Sequence, residues 1–293
     1  MGFRPIEKWA DLNPVTANGK ATADLPPAGT YYAIYLECLD GGVPVSAANI
    51  AADIQNVKVT LDGRTVYEIS GVGIQKLYEH HYAHNNSAAP IAGCLPLLFA
   101  PDFLSRNMDS EVIAWGMADQ GVIQVEVDFG ALVNTAGHID QVAVYTERTQ
   151  ANRPLGTHRQ VLRFERSFAS AGDQEIVDLP VEKGDVVTAA FHILYDGSAA
   201  VINQFEVIAN NNIVMNLSPT IAQQQLEKRD RKFMVAAAAN DLFSVPFDLS
   251  GDLNGFLPHV GLNDLRLRVN WSAAPGAYTI IRESYHGVGK KNV

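Results

Sequence analysis

The chain of 293 residues is 47% hydrophobic and 18% charged, a balance that supplies a sizeable core and excludes intrinsic disorder. Its length corresponds to roughly two domains. A formal charge of -10, from 22 Lys and Arg against 32 Asp and Glu, argues against a surface that coats nucleic acid, because nothing offsets repulsion from phosphates.

Met1-Gly2-Phe3-Arg4-Pro5-Ile6 carries no hydrophobic signal region, and Ile6 stands where a myristoylation motif wants Ser or Thr, so neither secretion nor lipidation is expected. Phe3, Ile6, Trp9 and Ala10 make an apolar stripe on a predicted short helix that Pro14 ends, within an N-terminal arm over residues 1–20. From Tyr32, Ile34, Leu36 and Cys38 at period two, residues 31–39 are predicted to form a half-buried strand with Cys38 as a core thiol. Val57, Val59 and Leu61 alternate with Lys58, Thr60 and Asp62, and Asp62-Gly63 offers the positive φ of a tight hairpin turn before a strand over 65–69.

Gly71-Val72-Gly73 lacks the third glycine of a phosphate-cradling fingerprint and reads as a turn before a helix bearing Ile74, Leu77, Tyr78 and His81. His80 and His84 share a face at helical spacing, a geometry usable for zinc. The helix ends there, however, and no carboxylate or thiolate stands at a known metal spacing, so surface histidines beside a helix C-terminus are preferred and no metal site is assigned. The apolar run 92–101 is too short for a membrane-spanning helix and is broken by Pro96. Ile123, Val125, Val127 and Phe129 alternate with Gln124, Glu126 and Asp128. A linker is expected over 150–156, where Asn152, Pro154 and Gly156 cluster.

Beyond the linker much of the pattern returns. Asp24-Leu25-Pro26, Gly29, an apolar run and Asp40-Gly41 are matched by Asp178-Leu179-Pro180, Gly184, a run over 186–194 and Asp196-Gly197. The runs 54–59 and 202–207 match, each entering turn residues, Asp62-Gly63 in one and Asn210-Asn211-Asn212 in the other. Ser218-Pro219 caps a helix over 220–231 that corresponds to the one after Gly73. Leu265, Leu267, Val269 and Trp271 alternate with Arg266, Arg268 and Asn270, as 122–129 does in the first half, and 142–148 matches 278–284. The same order throughout points to one architecture written twice, with many short strands bounded by turns: two β-sandwiches.

Two cysteines without a C-x-x-C give neither a disulfide framework nor a thiolate zinc site and fit synthesis in a reducing cytosol. The signatures of serine hydrolases, zincins and P-loop enzymes are absent. A two-domain cupin requires an H-x-H pair on a strand, whereas His80-His81 and His84 fall on a predicted helix and His192, His259 and His286 are scattered. No cofactor is expected, although the oxygen-rich loop 248–255 offers calcium a foothold while lacking the full order of a calcium loop and its closing glutamate. A carbohydrate- or receptor-binding sandwich is the alternative function. Trp9, Trp115 and Trp271 are dispersed, which gives it no aromatic groove.

The hairpin Asn56-Val57-Lys58-Val59-Thr60-Leu61-Asp62-Gly63-Arg64, the helix ending Leu77-Tyr78-Glu79, the Asp178-Leu179-Pro180 opening and Asp264-Leu265-Arg266-Leu267-Arg268-Val269 resemble the double jelly-roll major capsid proteins of tailless icosahedral viruses, nearest the small ones of corticovirus-type phages. The resemblance covers most of 20–288. It implies an all-β fold of two tandem eight-stranded jelly rolls, over 21–149 and 157–293, in a non-enzymatic virion protein. Three chains would form a pseudo-hexagonal tile that meets neighbouring trimers and penton or minor capsid proteins, over an internal membrane. Phe3, Ile6 and Trp9 would then tuck beneath the shell. Opposite charge on the matching strands, Glu126 and Asp128 against Arg266 and Arg268, makes these four residues candidate contacts between domains or subunits, beside the plainer reading of solvated strand faces.

Overall fold

A computed structural model describes residues 4–82, 91–100, 110–182, 184–227, 234–235, 241–247 and 255–288. The chain forms two compact units: the first extends to Leu162, and the second begins at Arg163 and also takes in His80 and His81. In chain order the first unit carries β1 (Ile6–Leu12), β2 (Lys20–Leu25), β3 (Thr30–Asp40), β4 (Val43–Pro44), α1 (Ala47–Asp53), β5 (Ile54–Leu61), β6 (Arg64–Ile69), α2 (Gly71–His81), β7 (Cys94–Leu98), α3 (Ser110–Ile113), β8 (Trp115–Gly116), β9 (Ile123–Phe129) and β10 (Gln141–Thr149). Then come β11 (His158–Phe168), β12 (Gly172–Ile176), β13 (Val186–Tyr195), β14 (Ile202–Ala209), β15 (Asn212–Leu217), α4 (Pro219–Glu227), β16 (Met234–Val235), β17 (Asp241–Pro246), β18 (Leu257–Pro258), β19 (Leu265–Trp271) and β20 (Gly276–His286).

The repeat holds strand for strand. In the first unit β1, β10, β3 and β7 lie side by side in one sheet, and β6, β5, β9 and β2 in another. In the second, β11, β20, β13 and β17 stand in the first set's order, and β15, β14, β19 and β12 in the other's. Helix α2 follows β6 as α4 follows β15. Two sheets of four principal strands in each unit make a double jelly roll. The core of the second unit draws on both its sheets: Phe191, Ile193, Phe243 and Ile280 from one, Phe205, Val207, Leu267 and Trp271 from the other.

The hairpin turns explain part of the likeness. Asp62 and Gly63 have φ of 46° and 78°, Asn210 and Asn211 of 49° and 63°, so both hairpins close with two left-handed residues, the twist that suits paired strands. In each, the first turn residue also clamps the loop that enters the matching strand. Asp62 Oδ1 accepts from the Gly121 and Val122 amides at 2.9 and 2.8 Å, and Asn210 Oδ1 accepts from the Asn263 amide at 2.8 Å.

Three expectations change. Residues 6–12 are an extended strand instead of the predicted helix, paired antiparallel with β10 from Ile6↔Glu147 to Leu12↔Val142. A short helix is marginal alone, whereas a strand gains a row of hydrogen bonds along the open side of β10. The stretch expected as a linker is fastened to the first unit: Thr30 Oγ1 donates to the Ala151 carbonyl at 2.6 Å, Asn152 Oδ1 accepts from the Gly29 amide at 3.2 Å, and Arg153 Nη2 donates to the Ala114 carbonyl at 2.9 Å. Finally, His80 and His81 are buried, 0% and 5% exposed, where surface histidines were expected.

Cys38 is fully buried as expected, and burial pushes its thiol far above the usual range. No helix among the described residues is long and apolar enough to cross a membrane.

Candidate assembly surfaces

Strands β9 and β19 occupy the same place in their units and share one burial pattern, apolar residues inward and polar ones half-exposed. On β9, Glu126 and Asp128 face β2, where Lys20 Nζ lies 2.8 Å from Glu126 Oε1 and 3.3 Å from Asp128 Oδ1. Hydrogen bonds to these two carboxylates hold the Lys20 ammonium above its ordinary value. Gln124 donates to Asp24 Oδ1 at 2.8 Å.

On β19, Arg266 donates to Glu175 Oε1 through Nη1 at 2.5 Å and to Asp264 Oδ2 through Nε at 2.7 Å. Arg268 Nη1 meets Glu206 Oε2 at 2.9 Å, and its Nη2 lies 3.7 Å from Glu175. Asn270 donates to Asp173 Oδ1 at 2.6 Å. A shallow hollow of about 60 Å³ is lined by Asp173, Gln204, Glu206, Arg268 and Asn270.

All four candidate contact residues therefore have ionic partners on their own sheet. The opposite charge read from the two strands is offset by their neighbours. Around Arg266 and Arg268 stand four carboxylates, Asp173, Glu175, Glu206 and Asp264, while Lys20 pairs with both Glu126 and Asp128 and Lys58 stands opposite Glu126 on β5. An alternation read on one strand does not report what the adjacent strands present.

The arm candidates separate. Phe3 lies outside the described residues. Ile6 and Trp9 are 59% and 45% exposed on β1, and the Trp9 indole donates to the Asp24 carbonyl at 3.1 Å beneath the Arg148 guanidinium, 5.5 Å from the ring centroid. Of the calcium-loop candidates, residues 248–254 lie outside the described residues, as does His84. A surface feature not read from sequence is β15, the outer strand of its sheet, where Ile213 and Val214 are 55% and 48% exposed. An outer strand with exposed apolar side chains is a template for association.

Residues 6–147 match the viral coat protein P2 N-terminal domain, and residues 158–288 match its C-terminal domain. The chain belongs to the viral coat protein P2 family. Its fold is similar to that of the major capsid protein P2 from bacteriophage PM2, with a TM-score of 0.76 and 20% identity, over 99% of this chain and 100% of that one. The STIV major capsid protein aligns with a TM-score of 0.69 and 12% identity over 97% of each chain, and the PBCV-1 capsid structure at 0.59 and 9% over 97% and 94%. No curated protein matches significantly by sequence. This P2-family chain is a major capsid protein, a structural component of the virion coat with no enzymatic role, and the carbohydrate-binding alternative falls away.

Proposed function

We propose that three copies of this coat protein form a closed trimer whose six sandwiches make a pseudo-hexagonal tile, and that such tiles cover an icosahedral shell over an internal membrane. The observation that carries the reading is the strand-for-strand repeat. Two similar sandwiches per chain let three chains present six nearly equivalent edges, and a closed ring avoids open-ended growth. Exposed Ile6 and Trp9 on β1 and Ile213 and Val214 on β15 supply apolar contact. The paired charges of β9 and β19 supply salt-sensitive contacts between domains or subunits, in which Glu126, Asp128, Arg266 and Arg268 exchange one ionic partner for another. Assembly proceeds in the host cytoplasm, with penton or minor proteins closing the shell's vertices. Native mass spectrometry of the purified protein tests the trimer: a species of three times the 31.8 kDa chain mass is expected, and a monomer at micromolar concentration would exclude it.

A further inference from the structure

The second unit brings together three side chains that sequence spacing does not associate: His81 at the end of α2, His192 in the middle of β13 and Glu283 on β20. In the antiparallel register Ala190 stands opposite Glu283 and His192 opposite Ile281, which makes His192 and Glu283 diagonal neighbours on one face. His81 Nε2 lies 2.9 Å from Glu283 Oε1, and His192 Nε2 lies 3.2 Å from the same oxygen. The three ligand atoms fall within 4.8 Å of one another. All three residues are buried, His192 completely.

Charge and hydrogen bonding both bear on this cluster. A buried carboxylate needs a compensating cation. His192 Nε2 makes no hydrogen bond among the described residues despite its closeness to Glu283. The other ring nitrogen, Nδ1, is 2.7 Å from Ser244 Oγ on β17. A hydroxyl accepting from Nδ1–H leaves the Nε2 lone pair directed at the cluster, the arrangement by which an outer partner fixes the tautomer of a metal-binding histidine.

We propose that His81, His192 and Glu283 bind a divalent transition ion of the zinc class. Two imidazole nitrogens and one carboxylate oxygen form a donor set that zinc accepts, with a fourth position left for water or a further ligand. Tetrahedral coordination at about 2.1 Å places ligand atoms roughly 3.4 Å apart. The contacts at 2.9 and 3.2 Å open slightly to reach that spacing, and the wider separation in the set closes by turning the imidazole rings. A third imidazole, His80, has its centroid 4.8 Å from that of His81 and 5.2 Å from that of His192. The ion neutralises Glu283 and fastens residues 80–82 to β13 and β20, a structural role independent of the assembly reading above.

The test uses the full-length protein, stripped with a chelator and titrated with zinc chloride in a calorimeter, with cobalt as a spectroscopic probe in parallel. One ion per chain is expected, with a rise in melting temperature and the visible absorption of four-coordinate cobalt. Glu283→Gln and His192→Asn are expected to weaken binding by about 100-fold or more, and Ser244→Ala, which removes only the orienting hydroxyl, by about 10-fold. Should the first two variants fail to fold, the zinc-edge X-ray absorption of the wild-type protein, showing two imidazoles among nitrogen and oxygen ligands, decides the matter. No stoichiometric binding, an octahedral cobalt spectrum, or loss of binding on His84→Gln with retention in Glu283→Gln would each overturn the proposal.

Discussion

Arg282 is buried in the second unit, with its side chain fully enclosed. Its Nη2 donates to Glu182 Oε1 at 2.5 Å and its Nη1 to the Pro180 carbonyl at 2.7 Å, and the guanidinium lies 5.7 Å from the Phe164 ring centroid. Burial lowers the Arg282 pKa, against the pull of Glu182. Glu182 keeps a quarter of its side chain exposed and also meets His286 Nε2 at 3.1 Å. The pair is therefore asymmetric. Glu182→Ala removes the compensating charge and leaves a guanidinium in the interior, a loss that runs to about 3–5 kcal/mol for fully buried pairs and about 2–3 kcal/mol here, since Glu182 is partly screened. Arg282→Met removes the cation and keeps its apolar contact with Phe164, while Glu182 turns to water and His286, at about 1 kcal/mol. Urea unfolding of both variants, followed by near-ultraviolet circular dichroism, measures the difference. If Arg282→Met proves as damaging as Glu182→Ala, or if Glu182→Ala costs under about 1 kcal/mol, uncompensated burial is not what governs this site.

Three more outcomes follow from the geometry. Gly63→Ala places a Cβ in open space but at a φ of 78°, so it is expected to destabilise the β5–β6 hairpin by about 1 kcal/mol through backbone strain alone; thermal unfolding reads it, and an unchanged midpoint refutes the assigned turn. Burial, followed by the Arg282 charge, lowers the His259 pKa below 6.5, while its ring accepts the Glu182 amide at Nδ1 and shares a 2.8 Å hydrogen bond with Thr188 Oγ1 at Nε2. The unfolded chain then binds the extra proton, so this contribution is complete above pH 6.5 and is lost as pH falls through that value toward the folded one. The stability gap between wild type and His259→Gln is expected to narrow on acidification, and a gap that widens contradicts the neutral assignment. In Glu126→Arg with Asp128→Arg, two new cations face Lys20 on β2, and reassembly yield in low salt should fall with partial recovery in high salt; a yield equal to wild type at every salt concentration removes these residues from the contacts.

The fold was largely legible because its signals are local. Period-two burial in β9 and β19, the Asp62-Gly63 and Asn210-Asn211 turns and the proline that opens α4 act over a few residues, and their repetition in order revealed the tandem architecture. What escaped depends on partners distant in sequence. Residues 6–12 are a strand because β10 offers an edge, although an isolated segment reads as an amphipathic helix. Charge alternation on β9 and β19 survives, but Lys20, Glu175 and Glu206 come from other strands and change what each face presents. His81, His192 and Glu283 meet across 202 residues of sequence between the first and the last, so no spacing rule associates them. A histidine and a glutamate within strands buried along most of their length, β13 and β20, were the available signal, because such strands admit a charged or polar side chain only where it has a partner.

Electron microscopy of the purified protein bears most directly on the central claim, that two repeated jelly rolls per chain build a coat tile. Class averages with threefold symmetry and a hexagonal outline of six densities are the result this account predicts. Uniform two-lobed particles with no threefold class, under conditions where the protein remains folded, would contradict it.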